Sequence, residues 1–211
     1  MMAMVISRLR LRHGASVALA FLLLCLTSAR PVSRPDGSSD TSGTGAALQK
    51  SRAATRDLLL TLRTVLTREL TERGAVSALG VCSDTAQVLT EAIEARHHLS
   101  IRRVSQRWRN ALNEPDGFER DVLDTFARAQ TRHALPDTAE QYRIVREDSA
   151  RIFRYMRPII TQDPCLACHG DRSALPASLQ NELLERYPDD RATGFRTGDL
   201  RGAVSVRLRL D

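Results

Sequence analysis

Cysteine is scarce in this 211-residue chain: Cys25, Cys82, Cys165 and Cys168 are the only four, and only the last two lie close together. The lack of a second close pair argues against a structural zinc site, which commonly draws its ligands from two such pairs. Lysine is nearly missing, with Lys50 alone among 31 basic residues; genome composition suffices to explain that bias. Excess charge is small as well. Residues 1–29 hold Arg8, Arg10 and Arg12 and no acidic residue, so setting them aside takes the formal net charge from +6 to +3. So mild a balance gives no electrostatic case for a nucleic-acid partner. No internal repeat is present. The uncharged run Val17 to Leu26 is too short to span a bilayer comfortably.

That run, preceded by three arginines and followed by Thr27-Ser28-Ala29, reads as a signal peptide over residues 1–29, with small residues suited to cleavage. The expected location is the periplasm. The alternative is an uncleaved segment that tethers the protein to the inner membrane, facing the periplasm. Leu24 before Cys25 argues against lipid attachment. Residues 30–46, rich in Gly, Ser, Thr and Asp, read as a flexible linker. Residues 47–211 then suffice for one domain with one core.

What the chain does have is Pro164-Cys165-Leu166-Ala167-Cys168-His169-Gly170. Cys-x-x-Cys-His is the attachment sequence of a c-type haem. Two cysteines at that spacing can form thioethers to the two vinyl groups of one porphyrin, and the adjacent histidine is then held against the iron. The competing readings are a redox Cys-x-x-Cys pair and half of a zinc site. A thioredoxin-like pair would open a helix after a core strand, whereas this one follows a short apolar run between Pro164 and Gly170. Signal and motif support each other, because covalent haem attachment in bacteria takes place on the outer side of the inner membrane. The expected cofactor is one haem c held by Cys165, Cys168 and His169. Cys82 is then left as an odd thiol in an oxidising compartment.

Leu59, Leu62, Leu66 and Leu70 predict a long amphipathic helix from Ala47 to about Thr71. Gly74 interrupts it. A second helix is expected to run to about His97, with Cys82 on its apolar face. Leu99 to Ser105 reads as a strand, Trp108 to Asn113 as a turn, and Pro115 as the start of a helix buried through Phe118, Val122, Leu123 and Phe126. Gln141 to Arg146 and Arg151 to Ile160 predict a hairpin. Ser178 to Arg186 is a short helix, and Val204, Val206, Leu208 and Leu210 mark a final half-buried strand. Strands beside helices without regular βαβ alternation predict an α+β domain with an antiparallel sheet.

In this order the chain resembles bacterial exported domains that carry a single c-type haem on a PAS-like fold, alone or as input regions of membrane sensors such as histidine kinases. The matching residues are Gly80-Val81-Cys82, Ile101 to Ser105, Arg109-Asn110, Asn113, Pro115-Asp116 and Phe118-Glu119. The haem motif follows, then Tyr187 to Gly194 and Gly198 to Ala203. Where the family shows Arg-Asn-Pro before the asparagine aligned with Asn113, Ala111 and Leu112 intervene here. No kinase, cyclase or methyl-accepting region is expected after the last strand.

The resemblance implies His169 as one axial ligand and Cys82 as the other. Met156 is the main rival, since histidine–methionine ligation is the usual electron-transfer pair; water or an open position remains an alternative, and His97, His98 and His133 are weaker candidates. Arg109, beside the lone Trp108, is a candidate partner for a haem propionate. The expected role is a redox or diatomic-gas sensor working through a signalling or redox protein partner. The alternative is a one-electron shuttle. No distal acid–base pair is recognisable, so an enzyme is not expected.

Overall fold

The computed structural model describes the backbone of residues 38–210 and the side chains of 43–81 and 83–210. The expected signal peptide, with Cys25, lies outside the described residues.

Three antiparallel pairings build the sheet. Strands β1 (Ser100–Val104), β2 (Gln141–Glu147), β3 (Ala150–Ile160) and β4 (Leu200–Leu210) stand in the order β1-β4-β3-β2, every neighbouring pair antiparallel. The predicted hairpin is β2–β3, turned at Glu147/Ala150 with Asp148 in the left-handed region at φ 52°. Strand β4 lies between β3 and β1, pairing Tyr155 with Val206 and Ile101 with Val206. At Gly202 the approach to β1 leaves no room for a side chain, because a Cβ would collide with the Val104 carbonyl; its φ of 158° also suits glycine.

Period-two alternation then assigns the faces. Ile101, Phe153, Tyr155, Val204 and Val206 face α1 (Ser38–Gly80) and α2 (Ala86–His97), where Ala54, Leu58 and Ile93 complete a buried cluster. Val104, Met156 and Ala203 face α3 (Gly117–Thr131) and its Val122, Leu123 and Phe126. The result is the α+β fold expected, with an antiparallel sheet flanked by helices and a long N-terminal helix.

Three local features differ from the sequence expectation. Helix α1 reaches back to Ser38, into the stretch read as linker, and Ser38 to Ser42 supply the small polar residues that suit a helix N-terminus. Helix α3 starts after Pro115: Asp116 is the cap, accepting from the Glu119 N–H at 2.9 Å, while the Glu119 carboxylate accepts from the Asp116 N–H at 2.9 Å. Glu119, 1% exposed, also meets Arg102 and Arg154. The Pro115 to Glu119 stretch is therefore an architectural device. Finally, Gly74 breaks α1 as predicted, at φ 81°, but the helix resumes and passes through a π-helical turn at Val81–Thr85 before α2. The Ser77 hydroxyl donates to Glu69 Oε1 at 2.6 Å across the break and fixes the two halves together.

Candidate functional site

The Cys-x-x-Cys-His motif folds as a tight turn at Asp163–Cys165 followed by the single helical turn α4 (Leu166–His169). Helical spacing sets Cys165 and Cys168 on one face. Gly170 ends the turn, because a Cβ there would sit 2.7 Å from the Leu166 carbonyl oxygen. Behind the motif, Cys168 and Leu79 of α1 share an apolar cluster with Leu175, Leu179 and Leu183, the last two from α5 (Ala177–Arg186).

In front of it lies a cavity of about 600 Å³, within the range of roughly 300–1,000 Å³ usual for small-molecule and cofactor sites. One wall is the α1 stripe Leu59, Leu62, Leu66 and Leu70; opposite are Pro158, Ile159 and Ile160 of β3. The motif contributes Cys165, Cys168 and His169. Arg63, Arg103, Arg109, Arg157 and Arg201 also line the cavity, with Asp137 the lone carboxylate among its lining residues, so its charged groups are mostly cationic.

His169 is held in one tautomer. Its Nδ1 lies 2.6 Å from the Ala192 carbonyl oxygen, and a carbonyl can only accept, so Nδ1 carries the proton and Nε2 keeps its lone pair. Phe195 packs edge-on against the imidazole, with ring centres 6.2 Å apart. Burial, then the nearby Arg201 and Arg109 cations, hold the His169 pKa well below the ordinary 6.5, outweighing the opposing bond to Ala192. The imidazole is therefore neutral at neutral pH, the form in which histidine binds a metal. Arg201 is pushed down to about 10, by burial first and then by Arg109 and Arg103.

The loop that carries Ala192 is tied to the motif through its backbone. The Gly194 N–H donates to the Gly170 carbonyl at 2.7 Å and the Phe195 N–H to the His169 carbonyl at 2.9 Å. Arg107 donates to the Arg191 and Thr193 carbonyls and stacks 4.0 Å over Phe195. Arg109, the sequence candidate for a ligand carboxylate, also lines the cavity. The residue is 8% exposed and its guanidinium is engaged: Nε donates to Asp190 Oδ2 at 3.2 Å, and Nη2 to the Cys168 carbonyl at 2.7 Å and the Ala192 carbonyl at 3.3 Å. It holds loops together from the cavity wall. Asp190 fixes the same loop, accepting from the Ala192 N–H and from Arg109.

Of the rival ligands, Met156 is fully buried in the α3 cluster, on the sheet face away from α1. His97 Nε2 lies 3.0 Å from Asp57 Oδ2, joining α2 to α1. His98 and His133 occupy left-handed turns, both exposed. The backbone of Cys82 lies in the Val81–Thr85 turn; Val81 and Ala86 line the cavity and Leu79 packs with Cys168. Arg186 of α5 donates to Ser83 Oγ at 3.1 Å, anchoring the turn from outside.

Sequence reasoning missed Phe195, Arg103 and Arg201. Arg103 was recoverable, since it shares the inward parity of Ile101 on β1. Phe195 stands one residue past a stretch already singled out.

The residues from α1 through β4 also match a known family: the family model described as Tll0287-like matches residues 40–209. The chain belongs to the Tll0287-like family. Among solved structures it is similar to the crystal structure of the cyanobacterial heme-protein Tll0287, at 26% identity and a TM-score of 0.54, covering 81% of this chain and 96% of that one. Comparison with curated proteins gave no match. The family match spans the motif, the Val81–Thr85 turn and the loop around Ala192 together.

Proposed function

We propose that this Tll0287-like protein binds one haem c, attached through Cys165 and Cys168 with His169 as an axial ligand. The observation that carries this reading is the motif's position: both thiols and a neutral imidazole with its Nδ1 proton committed to Ala192 line one apolar cavity. The donor set fits. The four-leucine wall suits a porphyrin face, and the cationic groups at the cavity suit two propionates. The described structure of a haem protein in the same family supports it. When bound, the haem supplies a one-electron Fe(III)/Fe(II) couple and axial coordination positions.

Cys82 is proposed as the second axial ligand. The support is the family resemblance, the cavity-lining positions on either side of it and the irregular turn that bears it, since π-helical turns recur at functional sites. A thiolate favours Fe(III). It would hold tightly in the oxidised state and more weakly in the reduced one, so that the Val81–Thr85 turn becomes the segment that responds. On that ground, together with the PAS-like resemblance, a periplasmic redox or small-ligand sensor is the favoured role and a simple electron shuttle the alternative.

The attachment test is a mature protein made with a c-type maturation system: one haem mass should survive denaturation, and haem extracted by acidified organic solvent would end the covalent reading. For Cys82, the Cys82→Ser protein should keep its covalent haem, lose the low-spin thiolate signature and rise in potential. An unchanged ferric spectrum would remove Cys82 from the iron. Carbon monoxide binding only after reduction distinguishes the sensor; resistance in both states favours the shuttle.

A further inference from the structure

The Ala192 carbonyl oxygen is shared. It accepts from His169 Nδ1 at 2.6 Å and from Arg109 Nη2 at 3.3 Å. The same guanidinium reaches the Cys168 carbonyl, one residue before His169, at 2.7 Å. Its counter-charge, Asp190, has no exposed side-chain surface and accepts the Ala192 N–H through Oδ1 at 2.8 Å while holding Arg109 through Oδ2. One buried ion pair thus grips the peptide units on both sides of the imidazole: the residue before it and the residue whose carbonyl orients it.

Histidine ligands are tuned through the group that accepts their second ring proton, because a stronger acceptor makes the imidazole a better electron donor. Arg109 competes for that acceptor and places a cation beside it. Both effects weaken electron donation by His169 and favour the reduced metal. Asp190 offsets the cation.

We propose that the Arg109–Asp190 pair is a positioning device that sets the donor strength of His169 through Ala192, and so sets the Fe(III)/Fe(II) balance of the haem. The proposal rests on the haem reading above. Asp190 does not line the cavity and Arg109 does, but in this scheme both act through the histidine. Arg103 and Arg201 contribute a constant positive background.

The test uses the full haem-loaded protein and a spectroelectrochemical titration. Arg109→Gln removes the cation and frees the Ala192 carbonyl for His169, so both changes favour Fe(III). The ferric-to-ferrous ratio at the wild-type midpoint should rise about tenfold, a fall of ~59 mV for one electron. Asp190→Asn, nearly isosteric, should shift the midpoint the opposite way. Arg109→Lys keeps the charge but cannot reach two carbonyls and a carboxylate at once; it should shift in the direction of Gln, by less. If Arg109→Gln does not fold, the opposed shifts of the other two variants still decide. The ferrous iron–histidine stretching frequency should rise with Arg109→Gln as the imidazole becomes a better donor. Wild-type midpoints and an unmoved stretch in loaded variants overturn the proposal alone. A wild-type protein that takes up no covalent haem overturns the haem reading, and the proposal with it.

Discussion

Helix α1 has two halves that look alike in sequence and do different work. From Ala47 to Leu58 its inward residues, Ala47, Ala54 and Leu58, are 0–3% exposed against Phe153, Tyr155, Val204 and Val206. From Leu59 to Leu70 the same kind of stripe is half-buried and lines the cavity, with Leu59 and Leu62 still touching the edge of that core. The difference comes from what stands opposite. Next to the first half the sheet presents aromatic and branched residues at inward positions; next to the second it presents Arg103 and Arg157 at the same parity, and the motif loop lies beyond. Guanidiniums keep polar company and do not build a dry core with leucines. A leucine stripe facing arginines therefore suits an amphipathic guest. A porphyrin, apolar in its plane with carboxylates at one edge, has that shape of chemistry.

The largest expected effect separates the two halves by removing the guest. Cys165→Ala with Cys168→Ala should abolish covalently retained haem, read as complete loss of the attached mass. The core half of α1 should remain folded, seen as retained helical circular dichroism and an intact Tyr155 environment.

Next in size, Leu58→Ala and Leu66→Ala sharpen the contrast. Leu58 is fully buried, so its truncation should cost about 2–5 kcal/mol whether or not haem is attached. Leu66 should cost about 1 kcal/mol in the haem-free double variant, and roughly 1–2 kcal/mol more in the loaded protein, where it would also lose contact with the porphyrin. Equal costs in both forms, by denaturant titration, would mean that this half of the helix is ordinary core.

Met156→Leu tests the sheet's other face. The side chain sits among Val122, Leu123 and Phe126, and a volume-conserving swap there should cost less than about 1.5 kcal/mol. The haem spectrum should not change. A shifted ferric spectrum would return Met156 to the ligand set.

Much of this was legible in the sequence. The alternation of Val204, Val206 and Leu208 gave away the final strand, though not its central place in the sheet, Gly74 the break in α1, and the Cys-x-x-Cys-His spacing the candidate site. What was hidden depended on distance along the chain. Arg109 could be read only as a partner for a ligand carboxylate, because nothing local shows that it also pairs with Asp190, 81 residues on. Periodicity also could not show the π-helical turn at Val81–Thr85, where one extra residue per turn leaves the threes-and-fours spacing almost intact. The leucine stripe could not be divided into core and cavity wall, since that division is made by the parity of arginines on two strands that come later.

The smallest expected effect concerns the clamp that holds the core half of α1 to the sheet. Arg52 of α1 pairs with Glu140, just before β2, and Glu140 also accepts from the Tyr155 hydroxyl at 3.0 Å. The Arg52 bond lowers the Glu140 pKa from the ordinary 4.5, with burial opposing and Tyr155 assisting. A carboxyl with a depressed folded-state pKa contributes stability above its unfolded value and loses it as pH falls through the folded one. The contribution should therefore be full at neutral pH, begin to fade near 4.5 and vanish below the folded-state pKa. Arg52 is half-exposed, so the pair is screened by salt and its contribution is modest. Glu140→Gln keeps the shape and an acceptor for Tyr155 but cannot ionise. Its melting temperature should lie no more than a few degrees below the parent's at pH 7 and close the gap as pH drops below 4.5. The same gap at pH 3 as at pH 7 would mean that the clamp acts through packing and not through its charge.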